Sequence, residues 1–343
     1  MILNKELQLK SILKELPPYV SDYFDYCSGT QDRSVNTMLG YAYDIRTFFK
    51  FLIKNNPAIT DMNSISMQVL NQLTPRDIQE YMSYLRNYTE ENRIVSNQAS
   101  ARARKLSALR SFMQYLFMFG NLDSNPAKLI DTPKIHKKKQ NRLNEEEVVQ
   151  LLNNVSSKEG LTDREKTFAQ RTTYRNIAIM VMLCGTGIRV SELTKLNLED
   201  IDFKKSFLKV TRKGGNEDIV YFGREVARVL QEYIEFERQP YDDNNTALFL
   251  SSRHGVSTRL SSRQIERIVK RYGYTLSSIK KITPHTLRRS FGTQLYNETG
   301  DIYMVADALG HKNVQVTADH YTEIRKERKE LVRMISDEFV GNK

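Results

Sequence analysis

Between residues 121 and 142 the chain loses helical periodicity and becomes rich in breakers and cations. It runs Asn121-Leu-Asp-Ser-Asn-Pro126, then Pro133, then Lys137, Lys138 and Lys139 ahead of Arg142. Prolines remove backbone donors and like charges repel one another, so this stretch reads as an exposed linker. A chain of 343 residues is more than one core comfortably fills. The linker divides it into residues 1–125, the connection 126–142 and residues 143–343. Apolar runs such as Ile177–Cys184 fall far short of the about 20 residues a membrane span needs. The residues from Met1 to Glu6 mix charge into their apolar positions, unlike a secretory signal. Cys27 and Cys184 stand alone, which suggests neither a disulfide framework nor a zinc site. The expectation is a soluble cytoplasmic protein that uses no cofactor or metal and touches no membrane.

Lys and Arg number 52 against 41 Asp and Glu, a net charge of +11. Residues 1–140 carry 19 basic and 13 acidic groups, hence +6, and the remainder carries +5. Both halves are basic, as a protein gripping one polyanion from two sides requires, and nucleic acid comes before membrane as the partner. A merely basic soluble protein is the plainer alternative.

The first 130 residues read as a helical bundle with no strand signal. From Ser34 to Lys54, Val35, Met38, Leu39, Ile45, Phe48, Phe49 and Leu52 recur at close to helical spacing. Thr74-Pro75 supplies an N-cap and a first-turn proline for a helix reaching Tyr88. A third helix, Asn97 to Phe119, stripes Leu106, Leu109, Met113 and Leu116, with Arg102, Arg104, Lys105 and Arg110 near its start. That basic cluster is either a solvated face or a phosphate-contacting one. The lysines at 137–139 pose the same choice, solvated linker or strap across phosphates.

Past the linker, Asn144-Glu-Glu-Glu147 is an N-cap with an acidic first turn. Ser206 to Lys213 and Asp218 to Phe222 flank Gly214-Gly215 and predict a β-hairpin. Ser262 to Tyr272 predicts a helix with Arg263, Arg267 and Lys270 on one face, solvated or groove-reading. The fold class is therefore mainly α, with a small antiparallel sheet in the second domain.

Four clusters in that second domain carry chemistry. Gly185-Thr-Gly-Ile-Arg189-Val-Ser-Glu-Leu193 puts an arginine at a glycine turn before a helix, and Lys213 sits at the hairpin tip. Thr283-Pro-His285-Thr-Leu-Arg288 starts a helix with an imidazole and a guanidinium on one face. Leu309-Gly-His311 is a helix C-cap followed by a histidine, and Tyr321 lies ten residues on. Each alone has a bland reading as a turn, a solvated side chain or ordinary packing. Together they offer arginines, histidines, a lysine and a tyrosine, without an acidic pair or a metal-ligand cluster. Such a set suits phosphoryl transfer in which guanidinium groups neutralise the charge on non-bridging oxygens. A phenol with a pKa of about 10 needs a base or a cationic field to attack, and an ammonium can protonate an alkoxide leaving group.

This ordered series, Arg189, Lys213, His285, Arg288, His311 and Tyr321, with Arg288 23 residues before His311, resembles the tyrosine recombinase (phage integrase) family across nearly all of residues 140–325. The resemblance implies a DNA clamp made of a helical core-binding domain and a catalytic domain. It implies that Tyr321 attacks a phosphate of double-stranded DNA to form a 3′-phosphotyrosine and free a 5′-hydroxyl. Arg189 and Arg288 would hold the phosphate oxygens and His311 would hydrogen-bond them. Lys213 would be the general acid, and His285 would assist proton transfer at the tyrosine. The covalent link conserves the phosphodiester's energy, so rejoining needs no ATP. The family works as a tetramer, homomeric or heteromeric, on a partly palindromic site. Its C-terminal tail, here Thr322 to Phe339, docks on a neighbour, though a helix packed within the same subunit would show the same spacing.

The absence of a β-rich domain before the helices is similar to simple Xer-like enzymes, which act on nucleoid DNA in chromosome dimer resolution. Transfer of a mobile element is the other role within the family. A type IB topoisomerase shares nearly the same chemistry, and a catalytically idle DNA-binding accessory protein is a rival of another class.

Overall fold

A computed structural model describes residues 2–90, 92–135, 141–212, 214–238, 245–253, 256–277, 280–311, 313–315 and 318. The chain divides into two compact units, residues 1–138 and 139–343. Among the described residues, no helix is long and apolar enough to cross a membrane.

The first unit comprises α1 (Ile2–Leu13), α2 (Pro18–Gly29), α3 (Val35–Asn55), α4 (Met67–Asn71), α5 (Pro75–Tyr84), β1 (Asn87–Glu90), β2 (Arg93–Ser96) and α6 (Ala99–Met118). The expected caps form. Ser34 Oγ accepts from the Thr37 N–H, and Thr74 with Asp77 makes a capping box ahead of Pro75. The α3 stripe buries Met38, Ile45, Phe48, Phe49 and Leu52 against Leu106, Leu109, Phe112 and Leu116 of α6.

Two expectations fail here. Helix α5 stops at Tyr84 instead of reaching Tyr88, and β1 and β2 follow as an antiparallel hairpin pairing Tyr88 with Val95. Asn92 adopts a φ of 61° at the turn, a conformation asparagine tolerates. Tyr88 is buried by stacking on Tyr84 at 4.8 Å. Strands of four residues with one buried ring leave no alternating signature to read. Likewise, the stretch from residue 121 is not all exposed linker. Leu122, Pro126 and Ala127 are buried, and the Arg110 guanidinium donates to the carbonyls of Ala127 and Ile130.

The second unit comprises α7 (Glu145–Ser157), α8 (Asp163–Gln170), α9 (Thr173–Thr186), α10 (Val190–Leu193), β3 (Ile201–Asp202), β4 (Phe207–Thr211), β5 (Glu217–Tyr221), α11 (Arg224–Tyr233), β6 (Leu250–Arg253), β7 (Val256–Arg259), α12 (Ser262–Leu276), α13 (Pro284–Thr299) and α14 (Ile302–Ala308). Residues Ala178 to Leu183 of α9 are buried on every side, so this helix is the axis of the core. Helices α7, α11 and α13 pack around it. β3, β4 and β5 form an antiparallel sheet with Leu208 opposite Val220, both buried.

Nothing in the sequence predicts the β6–β7 hairpin, because its serines, threonine and arginines give no strand pattern. Leu250 and Leu260 bury its ends. The molecule is mainly helical with small antiparallel sheets in both units.

Candidate active site

The site begins where α9 ends. Gly187 terminates it at a φ of 60°, and a Cβ there would come within 2.4 Å of the Phe291 ring. Only glycine meets both demands. The chain then turns sharply and places Arg189 at the N-cap of α10. Its backbone N–H donates to Glu192 Oε2 at 2.9 Å and its Nη1 to Glu192 Oε1 at 2.7 Å. Its Nη2 donates to the carbonyl of Gly310 at 3.0 Å.

Helix α13 presents the second pair. Thr283 and Thr286 form its capping box and Pro284 occupies the first turn, so His285 and Arg288 fall one turn apart. Arg288 is buried and donates to the carbonyls of Gly187 and Leu309. The two guanidiniums therefore anchor on the consecutive carbonyls of Leu309 and Gly310. That loop is itself rigid. The His311 N–H reaches the Ala306 carbonyl at 2.9 Å and the Gly310 N–H the Asp307 carbonyl at 2.7 Å, a Schellman cap with Gly310 at a φ of 57°. His311 emerges half-buried from this cap.

His285 lies open to solvent. Partial desolvation, then the positive charges of Arg289, Arg288 and Arg189, push its pKa below the usual histidine value. It is therefore neutral at pH 7, with a ring nitrogen able to accept a proton.

The third contributor is a pair the sequence did not single out. Glu192 and Arg212 are both buried, and Arg212 Nη1 donates to Glu192 Oε2 at 3.0 Å. Glu192 had one signal, its place three residues after Arg189 at a helix start. Arg212 had none. It closes the hairpin turn, its N–H donating to the Asn216 carbonyl at 2.8 Å, with Gly214 at a φ of 97° and Gly215 at 84°. Lys213, within that turn, lies outside the described residues. So do Tyr321, the tail 322–339, and Lys137, Lys138 and Lys139. The structure thus brings Arg189, Arg288 and the loop of His311 together, with His285 in the same cationic field.

The remaining basic candidates separate. Lys105 is buried and donates to Asp44 Oδ1 at 3.0 Å, while Arg104 pairs with the other oxygen, so Lys105 does not sit on an exposed basic face. Burial pushes the Asp44 carboxyl up, against the lowering pull of Lys105 and Arg104. Arg102 is half-buried. Arg263, Arg267 and Lys270 are exposed on α12, whose other face buries Ile265, Ile268, Val269 and Tyr272. Among the described residues no cluster of three or more histidine, cysteine or carboxylate side chains is arranged to hold a metal.

Such an arrangement, guanidiniums fixed by carbonyls beside a neutral imidazole, is built to hold a tetrahedral anion and move a proton. Residues 141–328 match the phage integrase family, and residues 20–118 match the phage integrase N-terminal SAM-like domain. The chain belongs to the phage integrase family. It is a tyrosine recombinase, a DNA strand-transferring enzyme of the site-specific class.

Among its relatives, the tyrosine recombinase XerS of Lactococcus lactis subsp. cremoris (strain SK11) is 30% identical over 339 residues, covering 91% of this chain and 93% of the relative. The tyrosine recombinase XerC of Thermodesulfovibrio yellowstonii is 28% identical, covering 87% of this chain and 89% of the relative. The fold is shared with the XerH site-specific recombinase bound to palindromic difH substrate in a post-cleavage complex. That match has a TM-score of 0.65 at 20% identity and covers 98% of this chain and 89% of that one.

Proposed function

We propose that this recombinase cleaves and rejoins double-stranded DNA through a 3′-phosphotyrosine at Tyr321, at a specific and partly palindromic site. The observation that carries the reading is the convergence of Arg189 and Arg288 on the carbonyls of Gly310 and Leu309. Guanidiniums held in that way keep a fixed geometry and neutralise charge on the non-bridging oxygens as phosphorus becomes five-coordinate. His285, neutral at pH 7, takes the phenolic proton of Tyr321. The Tyr321 oxygen bonds to phosphorus, the bond from phosphorus to O5′ breaks, and Lys213 delivers a proton to O5′. His311 hydrogen-bonds a phosphate oxygen. Reversal by the 5′-hydroxyl of another strand rejoins the backbone, with neither metal nor ATP in the scheme.

Residues 1–125 serve as the core-binding domain, 126–142 as a basic linker and 143–343 as the catalytic domain. Arg263, Arg267 and Lys270 on α12, Arg102 on α6 and the lysines at 137–139 supply DNA contacts, and Lys105 is withdrawn from that set. The working unit is a tetramer joined through the C-terminal tail, acting in the cytoplasm on nucleoid DNA to resolve chromosome or plasmid dimers or to move an element.

Covalent trapping tests the reading. The protein is incubated with fragmented DNA of its own source and denatured in detergent, beside a Tyr321→Phe control. Adducts absent from the control and converging on one sequence are expected. Adducts spread over arbitrary sequence would instead make it a topoisomerase.

A further inference from the structure

Arg212 sits at an unusual junction. It is 8% exposed, the residue before Lys213, and the first residue of the turn that closes β4 and β5. Its guanidinium reaches in two directions, from Nη1 to Glu192 Oε2 at 3.0 Å and from Nε to Asp218 Oδ2 at 2.8 Å. Glu192 is the same buried carboxylate that holds both the backbone and the side chain of Arg189. The guanidinium also lies directly against Gly310, where an added Cβ would stand 2.5 Å from Arg212 Cζ. One side chain thus ties together the hairpin that carries Lys213, the helix start that carries Arg189 and the cap that presents His311.

We propose that Arg212 is a positioning residue for strand cleavage, fixing the base of the hairpin turn against Glu192 so that Lys213 delivers its proton to O5′. Three features support this. A buried guanidinium between two carboxylates contributes little to stability compared with well-packed apolar side chains, so its value lies in fixing geometry. Gly214 and Gly215, both at positive φ, make a turn with little stiffness of its own, so a point of attachment next to Lys213 sets the precision of the whole tip. Finally, Arg212 occupies Glu192 and Asp218 itself. The buried Glu192 carboxylate is then committed to the guanidiniums of Arg189 and Arg212.

This inference rests on the reading of Lys213 as general acid and Tyr321 as nucleophile, and the experiment separates the two. Single-turnover cleavage is measured on the DNA site recovered by trapping, with an ordinary phosphodiester and with sulfur replacing O5′ at the scissile position. A thiolate leaves without needing a proton, so the sulfur substrate bypasses the general acid.

Arg212→Ala is expected to slow cleavage of the ordinary substrate at least tenfold, and by no more than the factor of about 10²–10⁴ that a general acid supplies. It is expected to cleave the sulfur substrate within a few-fold of the unmodified protein. Lys213→Ala is the reference, with the same rescue. Arg212→Lys, which keeps the charge but lacks the fork that spans two carboxylates, is expected to fall between the unmodified protein and Arg212→Ala and serves if the alanine variant does not fold. Rescue of Lys213→Ala without rescue of either Arg212 variant would overturn the proposal and leave the catalytic reading standing. Failure of the sulfur substrate to rescue Lys213→Ala would overturn both.

Discussion

Helices α6 and α12 both carry a cluster of cations, and in the sequence the two look alike. In the folded protein they are opposites. On α6, Lys105 and Arg104 close on buried Asp44, and Arg110 fastens the segment after α6 by its carbonyls. On α12, Arg263, Arg267 and Lys270 point to solvent. The difference lies in the partner. Asp44 is 61 residues from Lys105 and invisible to any local pattern, whereas the apolar stripe of α12 leaves its cations only the outer face. Positive charge in a sequence measures the supply of cations, and the fold decides how many remain for a polyanion.

Asp44→Ala should have the largest effect. Removing the acid leaves Lys105 buried without compensation, which costs about 3–5 kcal/mol. Chemical denaturation should show that loss, while the folded fraction binds DNA with unchanged affinity. A loss below about 1 kcal/mol would mean that the α6 cations are not committed internally.

The converse variant, with Arg263, Arg267 and Lys270 all replaced by alanine, should alter stability by no more than about 0.5 kcal/mol per site. It should weaken DNA binding and flatten its salt dependence, by about 0.9 in log–log slope for each phosphate no longer neutralised. A salt slope equal to that of the unmodified protein would remove α12 from the interface.

The smallest effect concerns pH. Desolvation and the nearby arginines hold the His285 pKa below the ordinary 6.5. Between those two values the unfolded chain binds more protons than the folded one. The stability contributed by His285 is therefore complete above pH 6.5 and is lost as pH falls through the folded value. His285→Gln should flatten the thermal stability profile in that acidic window and leave it unchanged at pH 8. An unaltered profile would deny the lowered His285 pKa.

The residues legible in sequence share one property. Arg189, His285, Arg288 and His311 each follow a local backbone device, namely Gly187, the Thr283-Pro284 cap or the Gly310 cap, whose geometry is fixed by neighbours in the chain. Arg212 meets Glu192 across 20 residues and acquires its role only in the core, so no spacing rule finds it, whereas Glu192 is marked by its place three residues after Arg189. The same reason hides the two minor hairpins. Tyr88 and Val95 pair across a turn, and the polar β6–β7 strands depend on Leu250 and Leu260 at their ends. Long amphipathic helices with capping residues are readable because hydrophobic period and cap agree within one segment.

In the proposed reaction a phosphate held by Arg189 and Arg288 is attacked by one tyrosine. The most direct test is to digest the trapped protein–DNA adduct and locate the nucleotide by mass spectrometry. A single modified peptide is expected, carrying its 3′-linked nucleotide on Tyr321. A nucleotide on any other tyrosine, or cleaved DNA bearing a free 3′ end and no protein, would contradict it.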